Sequence, residues 1–171
     1  MKRIVLSLVI VLATLGFALV AGAQDENMTA AHIEQIVTEL WNAGDDSAIA
    51  DLIAEDVVVN LPPSLNVNPP FSGHEGYLMN VMGWRAGLPD LKIEVLHLIA
   101  SDELAAARVM ITGTQTETFF GIPATNAELA FAANILYELD DEGKVVAEWW
   151  EWDTTLELIQ LGLFTPPAPP Q

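Results

Sequence analysis

Residues 113–162 read GTQTETFFGIPATNAELAFAANILYELDDEGKVVAEWWEWDTTLELIQLG. Gly121-Ile122-Pro123 is a corner, since Gly and Pro are the strongest local punctuators of structure. Residues 127–139 then alternate as a strand, Asp140 to Gly143 make a turn, and 144–152 alternate again. Two alternating runs joined by a tight turn read as an antiparallel hairpin. Strand alternation puts Glu148, Trp150 and Trp152 on one face and Trp149, Glu151 and Asp153 on the other. Thr154 to Leu161 is a short closing helix before Gly162.

Outward from this hairpin, the pattern is helical first and extended later. Ile33, Ile36, Val37, Leu40 and Trp41 recur at helical spacing from a Thr29 N-cap, and Gly44 ends the run. A second helix follows Asp45 or Asp46, with Ile49, Leu52 and Ile53 inward. Residues 57–61 are a short strand, and 61–71, with four prolines, are a loop. A third helix fits 74–86, with Tyr77, Leu78, Val81 and Met82 on its inner side. Strands are expected over 91–100 and 105–118. Three helices followed by four strands that can pair antiparallel imply an α+β fold, a curved sheet packed on the helices. Such a sheet leaves a pocket between its concave face and the helices.

The chain has 171 residues, a formal charge of −18 and no Cys. One domain with a sizeable core fits that length. Lys2 and Arg3, the apolar run 4–20 and Ala21-Gly22-Ala23 read as a signal peptide cleaved after Ala23; an uncleaved membrane anchor is the alternative. The organisation expected is therefore signal peptide 1–23, polar leader 24–28, one domain 29–163 and a Pro-rich, disordered tail 164–171. Cleavage removes two of the six basic residues and none of the 24 acidic ones, leaving a formal charge of −20. An exported, acidic protein is implied, one that repels nucleic acid and has no stable membrane association once cleaved. Without Cys there are no disulfides, so stability must come from packing. Asn27-Met28-Thr29 matches a glycosylation acceptor, discounted because the signal looks bacterial.

The runs GTQTETFFGIPAT, EGKVVAEWWEWD and QLG resemble the SnoaL-like polyketide cyclase (ester cyclase) family of the NTF2-like superfamily. The segments LWNAGDDSAIADLIAEDVVVN and GHEGYLMNVMGWRAGLPDLKIEV fit the family's helices and first strands, so the resemblance covers about residues 30–163. It implies the superfamily's cone, with an internal pocket for a small apolar or amphipathic molecule. It also implies ring closure or isomerisation by side-chain acid/base chemistry, with no metal or organic cofactor. Pairing of two copies through the sheet is a further implication, and one that the sequence itself does not show. Counted back from Gln160-Leu161-Gly162, the family's acid/base aspartate falls on Trp150. An accompanying histidine falls on Leu136, and a glutamine on Asn134. A histidine after the Gly-Thr pair is Gln115 here. Asp153 matches a frequent aspartate of the motif.

Two carboxylates are therefore candidate catalytic groups. Glu148 shares the face of Trp150 and Trp152, which fits a displaced general base with Asn134 as hydrogen-bond donor; the alternative is a solvated residue near the cone's open rim or one bonded to a neighbouring strand. Asp153 stands before a helix, where an N-cap is the commonest role. Candidate ligand contacts are Trp150 and Trp152 as an apolar floor, Tyr77 and Trp84 seven residues apart on one helix face, His74 near the pocket mouth, Asn60 at the end of the first strand as a polar pocket residue, and Asn134 and Gln115 as further polar groups. Core packing is the alternative for the tryptophans. His32, His74 and His97 are scattered, so no metal site is expected. Epoxide hydrolysis would need an Asp-Arg-Asp set, and neither Arg85 nor Arg108 has an evident pair of aspartates. A catalytically silent binding or accessory domain is the second reading of the whole chain.

Overall fold

The computed structural model describes residues 28–65 and 67–167. The expected signal peptide, its cleavage point, nearly all of the polar leader, Asn27 and the last four tail residues lie outside them.

Helix α1 spans 28–43, and its second half, Ile36–Ala43, is wound as a π-helix. It buries the apolar stripe Ile33, Ile36, Val37, Leu40 and Trp41. Gly44, at φ 68°, ends it in the left-handed conformation that glycine adopts at little cost. Asp45 accepts from the Ser47 N–H and starts a 3₁₀ turn, Asp46–Ala48, that leads into the one-turn helix α2, Ile49–Leu52. Strand β1 is Ile53–Asn60, four residues earlier in its start than expected. The proline loop holds a 3₁₀ turn at Pro63–Leu65 and ends in the two-residue strand β2, Phe71–Ser72, which pairs with Val58 and Val59.

Helix α3 is Gly73–Gly87. Its buried face is Tyr77, Asn80, Val81 and Trp84, a correction to the expected stripe. Met82 is exposed instead, because the two large aromatic rings rather than Leu78 and Met82 claim the interior. Strands β3 (Lys92–Ala100), β4 (Leu104–Thr114), β5 (Glu128–Leu139) and β6 (Val145–Trp152) form an antiparallel meander. Helix α4, Thr154–Gln160, closes the fold.

The six strands make one sheet in the order β2-β1-β6-β5-β4-β3. The early strand β1 runs parallel to the last, β6, a pairing that local pattern does not announce. Irregular registers within the β1–β6, β3–β4 and β5–β6 pairs bend the sheet, as bulges do. Its concave face buries Val109 and Ile111 of β4, Phe131, Ile135 and Tyr137 of β5, and Trp150 and Trp152 of β6 against α1 and α3. This is the α+β cone expected from the sequence.

Candidate active site

The Phe119–Ile122 turn builds one wall of the interior. Phe119 and Ile122 exchange backbone hydrogen bonds of 2.9 and 2.8 Å around Phe120 and Gly121, whose φ values are 45° and 80°. Two positive φ angles make a type I′ turn, for which Gly is suited and Phe is strained. The turn holds Phe119 inward, its ring centroid 4.9 Å from that of Trp84. Gln115 fastens the loop behind it. Its Nε2 donates to the carbonyls of Glu117, Ile122 and Pro123, and its Oε1 accepts from the Thr125 N–H and hydroxyl. The amide expected to meet a ligand is thus wholly engaged in holding the loop, a correction that the five partners explain.

At the other end of the concave face, Glu148 is fully buried. Tyr77 Oη donates to its Oε1 at 3.1 Å and Trp150 Nε1 to its Oε2 at 2.7 Å. Trp41 Nε1 in turn donates to Tyr77 Oη at 3.2 Å, and the Trp41 and Trp150 rings lie 5.0 Å apart. The carboxyl is held by neutral donors inside an aromatic box. Burial raises its pKa to about 7, against the smaller downward pull of the two hydrogen bonds. Tyr137 sits directly across the sheet from it, buried, with no hydrogen-bond partner for its Oη among the described residues. Burial, and then the charge of Glu148, push that phenol well above the usual tyrosine range.

The pairing of Tyr137 with Glu148 corrects the reading of β5. Cross-strand partners share a face, so Ala133, Ile135 and Tyr137 look inward with Trp152, Trp150 and Glu148. Asn134 and Leu136 look outward. Asn134 is exposed, lies opposite Glu151 and accepts from Arg108 Nη1 at 3.2 Å. It cannot serve Glu148. Tyr137, which the sequence reading passed over, holds the inward position, and a one-residue shift of β5 parity would have found it.

The remaining candidates fall in three places. Trp84 and Trp152 are buried in the aromatic interior, with ring centroids 5.5 Å apart. Asn60 Nδ2 donates to the Glu148 carbonyl at 3.1 Å, and His74 Nε2 lies 2.8 Å from the Ile53 carbonyl, so both tie β1 in place. Asp153 is exposed and accepts the Leu156 N–H at 3.0 Å, as the N-cap of α4. It lies off the concave face and apart from Glu148. A second buried acid, Glu157 of α4, accepts Trp152 Nε1 at 2.8 Å, and burial raises its pKa. Arg85 caps the end of α1 through the carbonyls of Trp41 and Asn42. Among the described residues no group of three or more His, Asp or Glu is placed to hold a metal ion. A surface cleft of about 590 Å³ between His32 and the Asp140–Gly143 turn is acidic and holds none of the groups above.

The family profile of SnoaL-like polyketide cyclases matches residues 31–161. The chain belongs to that family. Among solved structures, a SnoaL-like polyketide cyclase from Jannaschia sp. CCS1 superposes with a TM-score of 0.72 at 18% identity, over 83% of this chain and 95% of that one. IdmH from Streptomyces antibioticus, described as a polyketide cyclase, gives 0.66 at 28% identity, over 78% and 98%. AclR from Streptomyces galilaeus, described as a hydroxylase, gives 0.67 at 24% identity, over 82% and 99%. No curated protein matches at a significant level. The inward carboxylate of the last strand is Glu148, two residues before the buried Trp150.

Proposed function

We propose that this SnoaL-like chain is an exported domain that takes a small apolar or amphipathic molecule against the aromatic face of its cone and moves a proton on it with Glu148. The observation that carries the reading is the carboxyl itself: buried, flanked by neutral donors, and poised at about 7. A general acid/base works best when its pKa lies near the working pH. In ring closure, the Glu148 carboxylate would take the C–H proton beside a carbonyl. The resulting carbanion forms a C–C bond to a second carbonyl carbon, and the oxygen of that carbonyl receives the proton back from Glu148. Tyr137 Oη, without a hydrogen-bond partner among the described residues and across the sheet from Glu148, would supply a donor for the intermediate enolate oxygen. Isomerisation uses the same proton, returned to a different carbon.

The test is Kemp elimination of 5-nitrobenzisoxazole, in which a base removes the ring C–H and the N–O bond breaks to release a coloured phenolate. Turnover is expected to rise with pH through a midpoint near 7. Glu148→Gln is expected to lower it by about 10²-fold or more, the usual worth of a positioned base. Equal turnover in the two proteins would remove Glu148 from the reading. One observation favours the alternative, a silent binding domain: both Glu148 oxygens already hold partners and Trp150 fills the place of the family's acid. Export is supported by Lys2-Arg3, the apolar run and Ala21-Gly22-Ala23. A mature chain beginning at Gln24, read by mass spectrometry, is the expected outcome. Pairing of two copies is supported by the outer sheet face, where a groove of about 520 Å³ is lined by Ile99, Arg108, Leu136, Trp149 and Glu151.

A further inference from the structure

Leu78, Val81, Met82 and Arg85 recur at spacings of three and four residues and so share one side of α3. Periodicity alone assigns the first three to the interior, yet of these only Val81 is buried, and Met82 is 67% exposed. With Leu40 near the end of α1, they border a surface cleft of about 410 Å³ that opens beside Gly44. Its size falls in the range of roughly 300–1,000 Å³ usual for small-molecule sites.

Arg85 borders the same cleft and is fixed in place. Its Nη1 donates to the carbonyls of Trp41 and Asn42 at 2.8 and 2.7 Å. The guanidinium lies against the backbone of Gly44, where a Cβ would come 2.7 Å from Nε. The left-handed glycine that ends α1 is thus also the seat of the cation. Capping occupies Nη1 alone. Nε and Nη2, on the opposite edge of the plane, make no hydrogen bond or ion pair among the described residues. Acids outnumber bases 24 to six in this chain, and Asp46 itself borders the cleft without forming an ion pair with Arg85. We propose that the cleft between α1 and α3 binds a small amphipathic monocarboxylate, with the carboxylate on the Nε–Nη2 edge of Arg85 and the apolar chain laid over Leu40, Leu78, Val81 and Met82. A guanidinium edge presents two parallel N–H donors that match the two oxygens of a carboxylate. Two carbonyls already hold the plane, so little side-chain freedom is lost on binding. A net charge of −18 disfavours anions of higher charge, and one fork takes one carboxylate. The cleft opens on the outer side of the two helices, and the assignment goes beyond the role proposed for Glu148 and does not depend on it.

The test titrates octanoate and 1-octanol, which share a chain and differ in the head group, calorimetrically into the exported protein at neutral pH. Octanoate is expected to bind about tenfold or more tightly than 1-octanol, the effect of charge-assisted hydrogen bonds to the fork. Arg85→Lys keeps the charge without the fork, and is expected to lower octanoate affinity about tenfold while 1-octanol affinity is kept. Met82→Glu, at an exposed position, is expected to weaken octanoate about tenfold or more by setting a like charge in the cleft. Should Arg85→Lys not fold, the parent's preference and the Met82→Glu result decide. Equal affinity for the two probes, no binding of octanoate, or octanoate binding unchanged in a folded Arg85→Lys or in Met82→Glu overturns the cleft. Octanoate binding that survives these substitutions belongs elsewhere on the molecule, and each of these outcomes leaves the role of Glu148 standing.

Discussion

Glu148 is where burial and chemistry meet. A carboxyl whose folded pKa is about 7, above an unfolded value of 4.5, holds its proton more tightly in the folded protein. Between those two values the folded state binds more protons than the unfolded one, so this group makes stability fall as pH rises. The shift is worth about 3 kcal/mol at full ionisation. Glu148→Gln, which is always neutral, is therefore expected to gain on the parent by about that amount between pH 4.5 and pH 8. Denaturant melts of both proteins at several pH values check it. A gap that stays constant with pH would show that the carboxyl titrates normally. The opposite side of β6 shows why the neighbouring acids differ. Glu151 is exposed, and Asp153 spends its side chain on a helix N-terminus.

At the scale of elements, Asp153 and α4 can be separated from catalysis. Asp153→Ala removes the cap and is expected to cost about 1 kcal/mol, while Asp153→Ser, which keeps a cap, restores most of it. Kemp turnover is expected to stay at the parent level in both variants, since the side chain lies off the concave face. A loss of turnover that Ser does not restore would return Asp153 to the site. The elements also show what pattern reading reaches. The α1 stripe, the closing hairpin and the inward Glu148, Trp150 and Trp152 were legible because period and parity are local properties. In α3, Tyr77, Val81 and Trp84 were legible in the same way, but Asn80 was not, because it is polar and its burial follows from packing against other elements. Asn134 and Tyr137 exchanged roles for a similar reason. A family register carried across a strand without its pairing partner can slip by one residue, and one residue turns every side chain over.

At the scale of the whole molecule, the sheet has two unlike faces. The concave face is filled with aromatic rings. The outer one leaves Ile99 74% exposed and Leu136 43% exposed, a large apolar surface for a chain of charge −18. If two copies pair there, their mutual repulsion opposes the contact and salt relieves it. Light scattering is expected to give a dimer whose dissociation constant falls as NaCl rises, and Ile99→Glu with Leu136→Glu is expected to give a monomer at all salt concentrations. A monomeric parent protein at micromolar concentration and high salt would remove the pairing.

The order of helices and strands, the corner at Gly121-Ile122-Pro123 and the parity of the last strand were determined by the sequence alone, because propensity, turn chemistry and alternation act between residues close in the chain. The parallel seating of β1 against β6, the meeting of Tyr77, Trp41 and Trp150 around Glu148, and the burial of Asn80 without a hydrogen-bond partner among the described residues were decided by tertiary structure. They join residues tens of positions apart. A carboxyl's pKa and an amide's lack of a partner exist only once the fold has taken the water away.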